Sequence, residues 1–67
     1  HVPDEIDVRK IRQKFNMTQA VFARTFGFSL ASVRHWEQRR RKPEGAARAY
    51  LQVIDKEPDA VRRALSS

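Results

Sequence analysis

Gly27 is the strongest constraint in this sequence. It separates two runs with the same local grammar, within residues 18–36, TQAVFARTFGFSLASVRHW. Each run opens on a hydroxyl residue, Thr18 or Ser29, whose side-chain oxygen accepts an orphan N–H at a helix start. An apolar residue precedes each cap, Met17 or Phe28, and another falls at the fourth helical position, Phe22 or Val33. That pairing is a hydrophobic staple. Gly27 stands where the first helix must stop, and glycine takes the left-handed backbone there without a Cβ penalty. Residues 18–38 therefore predict two short helices joined by a tight turn. The arrangement suits a helix-turn-helix and equally an αα-corner without a ligand.

The flanking sequence predicts three more helices and no strand. Residues 4–15 read as the first, capped by Asp4, with Glu5 and Asp7 at the positive end of its dipole. Val8, Ile11 and Phe15 form its apolar stripe, Arg12 sits at the edge of that stripe, and Asn16 suits a left-handed stop. Helix two buries Phe22, Ala23 and Phe26, and helix three buries Val33 and Trp36. Pro43 fits the first position of helix four, residues 44–54, with Ala47, Tyr50, Leu51 and Ile54 on one face and Gly45 tolerated near its start. Pro58 opens helix five, whose apolar side is Val61, Ala64 and Leu65. The expected fold is all-α, five short helices around one small core.

At 67 residues the chain makes one domain with a thin core. It has no cysteine, so neither a disulfide nor a thiolate metal site supports it. Dimerisation is the remaining aid; Tyr50, Leu51 and Ile54 fit either the core or, with Val61 and Leu65, a dimer interface. The sequence shows no membrane-length apolar run and no signal-peptide pattern, which makes the cytoplasm the default compartment. The first residue is His1 rather than methionine, so an N-terminal segment is expected to precede it.

Charge is unevenly placed. The net charge is +6, but residues 1–7 carry −3, residues 49–67 balance, and residues 8–48 hold eleven lysines and arginines against Glu37 and Glu44, for +9. A polyanion is the natural partner of a basic segment laid over two such helices, the second of which would lie in a DNA major groove. Arg34 is the leading base reader, since arginine binds guanine O6 and N7 bidentately. A phosphate contact is its alternative role. Ala31, Ser32 and His35 share its face, and Leu30 could meet a thymine methyl. Arg39, Arg40, Arg41 and Lys42 form an unbroken basic loop, placed for phosphate or else simply solvated. Two histidines without ligand spacing make no metal site. Trp36 could stack a single-stranded base, although its spacing from Val33 suits the core. No paired carboxylates or nucleophile–base pair suggest an enzyme, and no cofactor is implied.

The pattern T-Q-x-x-F-A-x-x-F-G-F-S, then V-x-x-W-E, then a basic loop and proline, resembles the Cro/C1-type (XRE) helix-turn-helix domain, with its lambda-repressor-like fold, over residues 8–54. The stretch R-R-R-K-P-E-G-A-A-R-A-Y-L-Q-V-I-D-K-E-P-D-A-V is similar to the DNA-binding half of HigA-type antitoxins. The resemblance implies a homodimer on a palindromic double-stranded operator, repressing its own toxin–antitoxin operon. It also implies a ribonuclease-type toxin bound through sequence outside this chain. A stand-alone or phage-type regulator, and an interaction module that no longer binds DNA, are the other readings. The resemblance places Gln19 on a phosphate or a base edge beside it and pairs Arg12 with Glu37 as an ion pair; the caps Thr18 and Ser29 can also meet phosphate. Arg39 stands where the family has glycine, so either the left-handed turn is kept there at a Cβ cost or helix three runs on another residue or two.

Overall fold

A computed structural model describes residues 6–66 as five helices: α1 (Val8–Lys14), α2 (Gln19–Phe26), α3 (Leu30–Glu37), α4 (Ala46–Lys56) and α5 (Pro58–Ser66). No strand occurs among the described residues. Two of the starts follow from local chemistry. Thr18 Oγ1 accepts the Val21 N–H at 3.2 Å, and Ser29 Oγ accepts the Ser32 N–H at 3.1 Å. Gly27 ends α2 at φ 83°, and its N–H and that of Phe28 both return to the Ala23 carbonyl. Those two bonds satisfy a carbonyl that the helix end would otherwise leave open. Asn16 also lies in the left-handed region, at φ 54°, a conformation its short amide side chain tolerates.

Phe28, in the turn, is the packing centre. It stacks on Phe22 at 6.0 Å between ring centroids, meets Trp36 edge-on at 5.1 Å and touches Tyr50 at 5.2 Å. Phe22 continues to Phe26 and Phe26 to Phe15. One aromatic series thus joins α2, the turn, α3 and α4, with Phe15 just past the end of α1. Around it Val8, Ile11, Phe22, Ala23, Phe26, Val33, Leu51, Ile54 and Val61 form the buried core. The Tyr50 hydroxyl donates to the Phe26 carbonyl at 2.8 Å, serving the last turn of α2. Lys14 and Asp55 form an ion pair between α1 and α4.

The structure corrects several expectations. Helix one begins at Val8 with Asp7 as its cap, the carboxylate accepting the Lys10 N–H at 3.1 Å; Asp4 and Glu5 lie outside the described residues. Pro43 does not open helix four. It is buried, and α4 starts only at Ala46, after Gly45 at φ 56° and ψ −127°. The buried proline and the glycine turn together hold the chain out of helix until residue 46. Trp36 is half-buried rather than buried.

The proposed interface also changes. Leu51 and Ile54 are wholly enclosed by their own chain and Val61 is buried, so these side chains cannot face a second copy. Tyr50 is half-buried. Leu65 is 53% exposed and Ala64 is exposed as well, so α5 buries Val61 but not the whole predicted stripe. Val53, unremarked in the sequence, is 48% exposed.

Candidate nucleic-acid interface

The α3 helix has one outward row: Ala31, Arg34 and Gln38, the last being its C-cap, all exposed and spaced at i, i+3 and i+7. Leu30 and His35 flank that row and are half-buried. Val33 faces the core, while Trp36 packs at its edge. Ser32 is held away from the row: the Ser29 hydroxyl donates to Ser32 Oγ at 2.7 Å while accepting the Ser32 N–H. Ser32 thus accepts from Ser29 and keeps its own hydroxyl proton free to donate. Gln38 joins Ala31 and Arg34 on the exposed row. Its spacing of four from Arg34 was the signal available in the sequence.

The row is carried on a braced frame. Arg12, on α1, grips Glu37 at the end of α3 with two bonds, Nε to Oε2 at 2.7 Å and an Nη to Oε1 at 2.8 Å. Its remaining Nη donates to the Met17 carbonyl at 3.0 Å, just before the α2 cap. One guanidinium therefore ties α1 to the C-terminus of α3 and the approach to α2. The side chains are 17% and 5% exposed, so the pair is shielded from solvent. The Arg12 bond holds the Glu37 carboxyl below its ordinary value, and burial opposes this. The same bond raises the Arg12 guanidinium. Gln19 also helps to lower the Glu37 carboxyl, and it is half-buried at the start of α2. Thr18 and Ser29 are exposed, but each hydroxyl already caps its helix.

After α3 the chain turns sharply. Arg39 lies at φ 60°. Its N–H bonds to the Trp36 carbonyl at 3.2 Å and the Arg40 N–H to the His35 carbonyl at 2.9 Å, the paired bonds of a Schellman turn. The left-handed position is therefore kept with an arginine in place of glycine, at a cost of about 1–2 kcal/mol. Arg39, Arg40, Arg41 and Lys42 are all exposed. None forms an ion pair among the described residues. The loop is not uniform, however. Arg39, Arg41 and Lys42 line a cleft of about 460 Å³ with Ile6, Asp7, Val8, Arg9, Trp36, Glu37 and Pro43, whereas Arg40 does not. No group of three or more potential metal ligands occurs among the described residues. None of their helices is long and apolar enough to cross a membrane.

A capped helix-turn-helix with an outward row braced from α1, and an adjoining loop of cations without ion-pair partners among the described residues, is the arrangement of a helix-turn-helix domain. The chain belongs to the XRE-type helix-turn-helix family: the helix-turn-helix family model matches residues 8–59. It is 39% identical over 59 residues to antitoxin HigA-2 of Vibrio cholerae serotype O1, an alignment covering 88% of this chain and 55% of that protein. The chain thus spans about half the length of this curated relative. Among solved structures, an HTH XRE-family like protein from Agrobacterium tumefaciens superposes with a TM-score of 0.84 at 36% identity, over 88% of this chain and 95% of that one.

Proposed function

We propose that this chain is the DNA-binding domain of a dimeric repressor that reads a palindromic operator, and that the whole protein is the antitoxin of a toxin–antitoxin pair regulating its own operon. The observation that carries the DNA reading is the row of Ala31, Arg34 and Gln38 beside a loop whose four cations have no ion-pair partner among the described residues. Arg34 reads a guanine, Leu30 and His35 flank it, and Gln19 meets phosphate beside the α2 amides. The loop cations neutralise the backbone. The antitoxin half of the reading is supported by the likeness to HigA-2. A ribonuclease-type toxin would be bound by sequence outside these residues.

The dimer surface that fits the structure is Leu65 with Val53 and the outer edge of Tyr50, in place of the buried Leu51, Ile54 and Val61. In such a dimer the two α3 helices lie about 34 Å apart, one DNA turn.

Binding-site selection followed by a salt titration tests this. With three to five phosphates neutralised per subunit, the log–log slope is roughly −5 to −9 for a dimer. A slope near zero, or no binding at low salt, overturns the repressor reading. Sedimentation that shows only monomer, free and on DNA, overturns the dimer. A neighbouring gene for a small ribonuclease-like toxin supports the antitoxin assignment; a regulator lacking one acts alone.

A further inference from the structure

The cleft beside the loop has a chemistry that a DNA backbone does not use. Its inner lining is apolar: Pro43 is buried, and Ile6 and Trp36 are half-buried against the core. Its outer lining is cationic, with Arg9, Arg41 and Lys42 exposed at its edge. Among the described residues, the two acids in it are already engaged. Asp7 caps α1, and Glu37 is held bidentately by Arg12. The cleft therefore offers net positive charge around an apolar floor. It also lies on the side of α3 that packs toward α1, away from the outward row of Ala31, Arg34 and Gln38. A sugar-phosphate backbone would satisfy the cations and leave the floor uncovered. A carboxylate-rich peptide with an apolar side chain satisfies both.

We propose that this cleft is a docking site for a short acidic segment of a partner protein, its carboxylates on Arg9, Arg41 and Lys42 and its apolar anchor on Trp36 and Ile6. The cleft has a volume of about 460 Å³. Arg39, Arg41 and Lys42 belong both to the cleft and to the loop assigned to phosphate, so peptide and DNA compete for them. That competition rests on the DNA reading above; the docking itself does not.

Trp36 is the single tryptophan, so its emission reports the cleft directly. The probe is a blocked synthetic heptapeptide, Glu-Glu-Leu-Glu-Glu-Leu-Glu, titrated into the full chain, with the same peptide carrying lysines in place of glutamates as control. The expected result is a saturable blue shift with the acidic peptide alone. The Arg9→Glu/Arg41→Glu double variant should weaken it by on the order of tenfold. Arg63→Glu, on exposed α5 outside the cleft, leaves it unchanged, and circular dichroism verifies that each variant is folded. Addition of peptide to a complex with a selected duplex releases the DNA. If the free chain binds no DNA, the repressor reading fails while the peptide titration still decides this proposal. The proposal is overturned by an unmoved Trp36 emission, by an equal response to the lysine peptide, or by indifference to the double variant. It is also overturned if duplex DNA but not peptide shifts Trp36, or if peptide binds only after residues 1–5 are deleted, which would make the chain's own N-terminus the occupant.

Discussion

Arg12 and the arginines of the loop at 39–42 are the same residue type in opposite situations. Arg12 is surrounded: its guanidinium satisfies two oxygens of Glu37 and the Met17 carbonyl. The loop arginines are exposed, without ion-pair partners among the described residues, and mounted on a strained turn. The difference teaches where charge acts in so small a domain. A part-buried arginine with three hydrogen bonds ties helices to one another, because a shielded charge needs its partners in place. An exposed arginine contributes little to folding, and its charge stays available to a polyanion.

The sharpest way to break this contrast is at Glu37. Glu37→Ala strands Arg12 in a part-buried site and should destabilise the fold by about 1–3 kcal/mol, measured by chemical denaturation. Melting like the wild type would show that the pair is not structurally effective. The pH dependence follows from the lowered Glu37 carboxyl. A carboxyl whose folded pKa lies below its unfolded value stabilises above the ordinary carboxylate range. That contribution is lost as pH falls through the folded value. Wild type should therefore lose stability on acidification more steeply than Glu37→Gln, which has no carboxyl at that position. Parallel acid-melting curves for the two proteins would contradict this.

Arg34→Ala tests the outward row. It should cost about 1–3 kcal/mol at one base position and flatten preference there, read by competition among single-base operator variants. Uniform weakening across all sequences would make Arg34 a phosphate contact. The companion change Gln38→Ala should alter preference at a neighbouring position by a smaller amount.

Arg39→Gly relieves the left-handed backbone at φ 60°. Stability should rise by up to about 1 kcal/mol, after allowance for the extra unfolded-state freedom of glycine. DNA affinity should fall slightly, with the salt slope reduced by about one per subunit. Destabilisation would mean that the arginine side chain holds the turn. The smallest expected effect on folding is at Arg40, the loop cation outside the cleft. Arg40→Ala should change stability by less than about 0.5 kcal/mol while reducing the salt slope. A large loss of stability there would erase the distinction between the two classes of arginine.

Much of the scaffold was legible before any tertiary structure, because it depends on bonds between residues a few positions apart. Thr18, Ser29 and Gly27 cap and stop their helices by interactions spanning three to five residues, so their spelling alone located α2 and α3. The resemblance marked Arg39 as the place of the next turn but left its backbone open between two conformations; the structure shows the left-handed one, at φ 60°. The first cap was misplaced because several acidic residues stand near the start of α1, and local chemistry does not choose among them. The observed cap is Asp7. Pro43 reads equally well as a helix opener or as a buried stop. The structure made it a stop, because the chain returns to the core there and needs Gly45 to leave it.

Tertiary packing set which side of each apolar or charged stripe faces inward. Leu51 and Ile54 have the same spacing whether they fill a core or a dimer surface; the packing of α4 against α1 and α5, with Tyr50 on Phe28, enclosed them. A helical wheel gives directions but not neighbours, and it did not show that Ser29 would bond to Ser32 or that Gln38 would share the exposed row. Local spelling was enough to place two capped helices meeting at Gly27 beneath a concentration of positive charge. Which of those charges became struts and which stayed outward was set by burial, through contacts between residues as far apart in the chain as Arg12 and Glu37.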